Sequence, residues 1–235
     1  MSKPVVLVTG ASQGIGAVVA ESFARETHAR VALLARSEAR LEEVADRCQR
    51  LGGDAGVFPC DVADPAAVAR ASADVQNAFG LPDVIVNNAG QFVPGSVTET
   101  TSDEFRQQVE VNLNSAFYVT QEFLAGMMER GSGDLFFMAS VASIKAYPGG
   151  VAYCAAKHGL LGLARAVREE TKGTGVRSTA IILGATLTPS WDGVEMAADR
   201  FIPPEDVAET ILSIYRRTGR TNVEEILIRP RDGDI

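Results

Sequence analysis

Thr9-Gly-Ala-Ser-Gln-Gly-Ile-Gly16, close to the start of a 235-residue chain, is the stretch on which the fold turns. The apolar run Pro4–Thr9 before it reads as a strand, and Ile15–Glu26 after it reads as an amphipathic helix. Gly10 lets the chain turn sharply where a β-carbon would obstruct the backbone. Gly14 and Gly16 leave room for a pyrophosphate to approach and for the helix to pack on the strand. The helix N-terminus then presents unpaired N–H groups and a partial positive charge to an anion. Ser12, Gln13 and Ile15 lie within the same turn and join the glycines as candidate cofactor contacts. The spacing is G-x-x-x-G-x-G rather than G-x-G-x-x-G, so the glycines alone are a weak signal. Their position directly after the first strand argues against a plain turn.

Outward from this turn, short apolar runs alternate with amphipathic ones to the end of the chain, the pattern of repeated βαβ units. Strands are expected at Pro4–Thr9, Arg30–Ala35, Ala55–Pro59, Asp83–Asn87, Asp134–Ala139, Arg177–Leu183 and Glu225–Arg229. Most are continuous Val/Ile/Leu/Phe runs, which predicts helices on both faces of a parallel sheet. Helices are expected at Ile15–Glu26, Glu38–Leu51, Pro65–Phe79, Ser102–Arg130, Tyr153–Lys172 and Pro204–Thr218. No linker or repeat interrupts the series, so residues 1–235 read as one α/β domain with its site at the carboxyl ends of the strands. Ser102 is the expected N-cap of the long helix, with Asp103 and Glu104 in its first turn. Phe105, Val109, Leu113 and Phe117 form a stripe along it that suits either a core or a subunit interface.

Composition narrows the function. Hydrophobic residues make up 46% and charged residues 22%, ordinary for a globular protein, and the net charge of −8 disfavours nucleic acid and anionic membranes. No apolar run approaches the roughly 18 residues that span a bilayer. The apolar stretch after Met1-Ser-Lys-Pro is too short for a secretory leader, so a cytoplasmic location is expected. Cys48, Cys60 and Cys154 lack metal or disulfide spacing and read as reduced packing residues; His28 and His158 lie too far apart in sequence to suggest a metal centre.

Cofactor selectivity is read from the second strand, which ends Leu34-Ala-Arg-Ser37. NAD-preferring folds carry an acidic side chain near this place to accept from the ribose 2′-OH. Here Ala35 and Arg36 follow, and a guanidinium can hold a 2′-phosphate in two bonds. NADP(H) is therefore expected over NAD(H), the alternative being that Arg36 is a solvated residue opening a charged helix. Asp61 and Val62 follow the third strand, with Asp61 a candidate acceptor for the adenine amino group or a residue at the next helix entrance. Asn87-Asn88-Ala89-Gly90 ends the fourth strand, where small residues let backbone run beside a ribose.

Chemistry is carried by Tyr153-Cys-Ala-Ala-Lys157, whose spacing puts phenol and ammonium on one helical face. Lowering a phenol from about 10 to near 7 needs roughly 4 kcal/mol. One ammonium about 4 Å away supplies a term of that order at an effective dielectric near 20. Ser140, in Met138-Ala-Ser-Val-Ala-Ser143, would bond a substrate carbonyl oxygen. Asn112, in Glu110-Val-Asn-Leu-Asn114, is a poor helix former whose amide would bind a water linking Lys157 to solvent. Asn114 and Ser143 compete for these two roles.

Taken together, Thr9-Gly10-x-x-x-Gly14-x-Gly16, Asn87-Asn88-Ala89-Gly90, Asn112, Ser140, Tyr153 and Lys157 resemble the motifs of the single-domain short-chain dehydrogenases/reductases, in order and along nearly the whole chain. The resemblance implies a Rossmann-like, doubly wound, seven-stranded parallel sheet in a three-layer α/β/α sandwich, and a homodimer or homotetramer. It implies hydride transfer between nicotinamide and a small carbonyl or alcohol substrate. Tyr153 would be the acid–base, Lys157 would lower its pKa and hold ribose hydroxyls, Ser140 would position substrate and Asn112 would serve the proton relay. The chain departs from the family after the sixth strand, where Leu183-Gly184-Ala-Thr-Leu-Thr188 lacks the usual Pro-Gly; Gly184 and Thr188 still match and would contact the cofactor. Residues 189–202 then form a short substrate lid with Trp191, Met196 and Phe201, near Phe92, Val93 and Tyr147. Alternative readings are a 3-oxoacyl-carrier-protein reductase, a nucleotide-binding protein without turnover and an extended-branch epimerase or dehydratase. The acidic charge, the ending Glu225-Ile-Leu-Ile-Arg-Pro-Arg231, the complete set of four residues and the short C-terminal region weigh against them.

Overall fold

The computed structural model describes residues 3–234. Seven strands form one sheet: β1 (Val5–Thr9), β2 (Arg30–Ala35), β3 (Asp54–Pro59), β4 (Val84–Asn87), β5 (Gly133–Ser140), β6 (Val176–Leu183) and β7 (Glu225–Ile228). All pairings are parallel and the order is β3-β2-β1-β4-β5-β6-β7. The fold is thus a doubly wound Rossmann-like α/β/α sandwich, as the sequence pattern implied. Winding reverses between β1 and β4, and a crevice opens at the carboxyl ends of these neighbours because their connections leave to opposite faces.

Alternation along each strand builds the two cores. Val6 and Val8 of β1 face α1 (Gly14–Thr27), α2 (Glu38–Arg50) and α7 (Pro204–Tyr215), packing with Phe23, Leu41, Val44 and Ile211. Leu7 and Ile85 face α3 (Pro65–Phe79), α5 (Ser115–Arg130) and α6 (Val151–Glu170), packing with Val68, Phe123, Met127 and Leu160. Each such side chain contributes about 1.5–3 kcal/mol by leaving water. β5 is buried almost throughout, which is why its sequence shows no polar alternation. The three cysteines are free and buried; burial pushes Cys48 up to about 12 and Cys60 up to about 11, so these two stay as unreactive thiols. No helix among the described residues is long and apolar enough to cross a membrane.

Two local expectations are corrected. The helix α4 (Ser102–Val109) is capped by Thr101, not Ser102: Thr101 Oγ1 accepts from Glu104 N at 3.2 Å, and the Glu104 carboxylate accepts from Thr101 N at 2.8 Å. This reciprocal box satisfies two terminal donors, which Ser102 one residue later cannot do with Glu104 at its required spacing. The expected single helix to Arg130 also contains a π-helical segment, Glu110–Asn114, between α4 and α5. Its i→i+5 bonding shifts the helical register and turns Asn112 inward, where it is 1% exposed. The stripe of four apolar residues is divided: Phe105 is 38% and Phe117 45% exposed, while Leu113 packs against Gly159 and the second core cluster.

Candidate active site

The glycine turn is built as its sequence predicts. Gly10 and Gly14 have φ of +63° and +56°, where a side chain is strained. A β-carbon at Gly16 would sit 2.5 Å from Gly10 O and 2.6 Å from Asn88 Nδ2, so only glycine leaves this floor intact. α1 begins after Gln13 with no side-chain cap, leaving its first N–H groups facing the crevice for an anion. This bare, positively polarised helix end over a glycine cradle fits a dinucleotide pyrophosphate. Ser12 is half-buried in the turn, and Ile15 is half-buried against the first core cluster.

Thr9 is a tie that sequence reading left as part of a motif. Its hydroxyl accepts from Asn88 N at 3.0 Å and Ala89 N at 2.9 Å, while Asn88 Nδ2 donates to Thr9 O at 2.9 Å. The β1 and β4 turns are thereby locked across the switch point. Arg36 is exposed at the end of β2, and Ser37 caps α2 with its hydroxyl unused for the cap. Arg40, one turn on, donates to Gln13 Oε1 at 2.7 Å and so adds a second guanidinium beside the phosphate turn. Asp61 holds its own turn, accepting from Ala63 N at 3.0 Å, and Asp64 rather than Asp61 caps α3. The Val62 side chain is 7% exposed within the second core cluster, leaving only its backbone for a ligand. Gly184 donates its N–H to Ile228 O at 2.8 Å, and a β-carbon there would lie 2.8 Å from Pro230. Thr188 lies against Gly14, across the turn from the helix end.

Further along the same sheet edge, Ser140 ends β5 and Tyr153 and Lys157 stand one turn apart on α6. The Ser140 hydroxyl accepts from Ala142 N at 3.1 Å and is near enough to the Tyr153 phenol to act on its ionisation. Ser143 is only 3% exposed and accepts from Ser140 N at 3.1 Å. This competitor of Ser140 thus has another partner. Lys157 is 4% exposed, donates to Met138 O at 2.8 Å and lies 5.6 Å from the centre of the Tyr153 ring.

Electrostatics correct the sequence arithmetic. Burial holds the Tyr153 phenol above its ordinary value, and the Ser140 hydroxyl offsets part of that. Burial pulls the Lys157 ammonium down to about 8. The reading that one ammonium brings the phenol to neutrality omitted the desolvation that both groups undergo.

Asn112 is tied to the loop after β4. Its side-chain oxygen accepts from Gln91 N at 3.0 Å, and its Nδ2 donates to Gln91 O at 2.8 Å and Gln108 O at 3.0 Å. Both donors are used, and one lone pair of the side-chain oxygen is left for a water. A β-carbon at Gly90 would lie 2.9 Å from Asn112 Oδ1 and 3.5 Å from Lys157 Nζ, so Gly90 is the close contact joining the two. Phe92 packs edge-on to Tyr153, with ring centres 5.2 Å apart, and to Tyr147 at 6.4 Å. Segment 189–202 is pinned at its base, with Ile202 N on Ala185 O and Leu187 N on Ile202 O, both 2.9 Å; Trp191 and Phe201 stack within it at 5.0 Å.

Comparison with known proteins agrees with this geometry. The short chain dehydrogenase family model matches residues 4–198. The chain is 35% identical to a protein named sepiapterin reductase from Chlorobaculum tepidum, over 99% of this chain and 98% of that one. It superposes with a TM-score of 0.90 on an alcohol dehydrogenase from the archaeon Thermococcus sibiricus complexed with 5-hydroxy-NADP, at 28% identity and 98% and 97% coverage. An L-sorbose reductase from Gluconobacter frateurii complexed with NADPH and L-sorbose also gives 0.90, at 26% identity and 98% and 96% coverage. With its glycine turn, parallel sheet and paired helix residues in place, this chain belongs to the short-chain dehydrogenase family and is an oxidoreductase.

Proposed function

We propose that the enzyme reduces a small carbonyl compound with NADPH, Tyr153 donating the proton. The observation that carries this is Tyr153 itself, near Ser140, beside Lys157 and edge-on to Phe92 at the carboxyl edge of the sheet. The nicotinamide supplies the hydride when bound. Ser140 would bond the substrate oxygen as charge develops there. Tyr153 would pass its phenolic proton to that oxygen, and the Lys157 ammonium would stabilise the phenolate left behind. Asn112 holds the loop at Gln91 and would keep one lone pair of its side-chain oxygen for a relay water. NADPH over NADH is favoured by Ala35 and the exposed Arg36 where an acid would otherwise stand, with Arg40 beside the phosphate turn, and NADP or NADPH is bound in solved relatives. Homodimers or homotetramers fit the exposed Phe105 and Phe117.

Sepiapterin is the first substrate to try. The relative named for it spans 99% of the chain, and Phe92 and Tyr147, beside Tyr153, offer aromatic faces for a flat heterocycle. The test is NADPH oxidation by wild-type enzyme and Tyr153→Phe across sepiapterin, diketones, ketoesters, sugars and 3-oxoacyl thioesters. Loss of at least a hundredfold in turnover with NADPH binding retained is expected; unchanged turnover removes Tyr153 from the chemistry. A lower KM for NADH than for NADPH overturns the cofactor assignment.

A further inference from the structure

We propose that Gln108 is a positioning residue that holds the Phe92 ring against Tyr153 and thereby sets which carbonyl substrates reach the phenol. The proposal rests on the reductase reading and extends it to selectivity.

Gln108 is the one buried residue of α4, at 5% exposure, on a helix otherwise turned to water. A buried amide is costly unless both ends are bonded. Here both are, and to the same residue: Val93 N donates to Gln108 Oε1 at 3.3 Å and Gln108 Nε2 donates to Val93 O at 2.8 Å. Asn112, one turn later, makes the same pair of bonds with Gln91 and ties the two amides together through Gln108 O. Gly95 continues the series, its N–H on Gly149 O at 2.8 Å.

Residues 91, 93 and 95 are thus bonded at alternate positions, as in an edge strand. For 91 and 93 the partner strand is replaced by two side chains of the helix. Residues 91–94 have no regular secondary structure, and these bonds hold their backbone to the helix. Phe92 lies between the two clamped residues, 46% exposed, with its ring edge-on to Tyr153. A ring that exposed gains little from burial to hold it. Its position is imposed through the backbone on either side.

The test compares wild type, Gln108→Met, which keeps length and burial but removes both bonds, Gln108→Glu, which keeps only the acceptor, and Phe92→Ala. With NADPH, the probes are 1-phenyl-1,2-propanedione and 2,3-butanedione. Gln108→Met is expected to lower the aryl-over-methyl ratio of kcat/KM about tenfold, mainly through KM, as loss of one aromatic contact would. Adding it to Phe92→Ala should change that ratio no further; independent, multiplying effects overturn the proposal. Gln108→Glu should fall between, because one of two bonds survives. A second readout needs no turnover. In protein carrying 4-fluorophenylalanine, the Phe92 19F resonance, assigned by its loss in Phe92→Leu, should move toward the free amino acid in Gln108→Met. An unmoved resonance refutes the positioning role whatever the substrate is. Failure of wild type to oxidise NADPH with any carbonyl, with the resonance shift intact, counts against the reductase reading instead.

Discussion

At the scale of single residues, desolvation and pairing compete at Lys157 and Tyr153. Lys157 is buried and Tyr153 half-buried, so each charged form is penalised, and Lys157 falls to about 8. Its ammonium is therefore present below that value and lost as pH rises through it. Since only the ammonium stabilises the phenolate formed when Tyr153 donates, reduction should slow above about pH 8. A steady-state pH profile of kcat checks this; a rate flat to pH 10 would show that the Lys157 charge contributes nothing. The spacing of these two residues was plain in the sequence because it depends only on helical periodicity. Their ionisation was not, because burial is set by chains far away in sequence.

At the scale of elements, α4 illustrates how a short helix is held in place. Its terminal donors are satisfied by the Thr101–Glu104 box, and its inner face by Gln108. Thr101→Ala should cost about 1 kcal/mol. In a chain of 235 residues that corresponds to a fall in Tm of roughly 2–4 °C, measurable by calorimetry. No change would show that Ser102 takes over the cap. Sequence reading placed the start of this helix within one residue but did not show the bonds that Asn112 makes to Gln91. The π-helical segment, which packs against α6, and the loop that Asn112 grips are both invisible to a local pattern.

At the scale of the molecule, the sheet is also braced at the end opposite the site. Asp134 and Arg177, in neighbouring strands, form a bidentate pair with side chains 10% and 12% exposed, and Arg177 reaches the Tyr215 carbonyl at the end of α7 and the Arg217 carbonyl just after it. Burial raises Asp134 even against its partner's pull. Its raised folded value means that folding favours the protonated form. The cost of burying the charge therefore appears as pH rises through that value and is relieved below it. Arg177→Met leaves this carboxylate unpaired and should lose about 3–5 kcal/mol near neutral pH, part of it recovered near pH 5. Denaturant melts at the two pH values test this; an equal loss at both would place the effect in lost packing.

Strand and helix identity, the parallel sheet, the glycine turn and the order of the polar residues along the crevice were determined by the sequence alone. Periodicity and turn chemistry act over a few residues, and the continuous apolar runs admit no other layering. Only the tertiary structure decided the partners of Asn112, Gln108 and Val62, the cap at Thr101 and the direction in which Tyr153 and Lys157 shift. Each of these depends on which distant group arrives to exclude water or to complete a hydrogen bond.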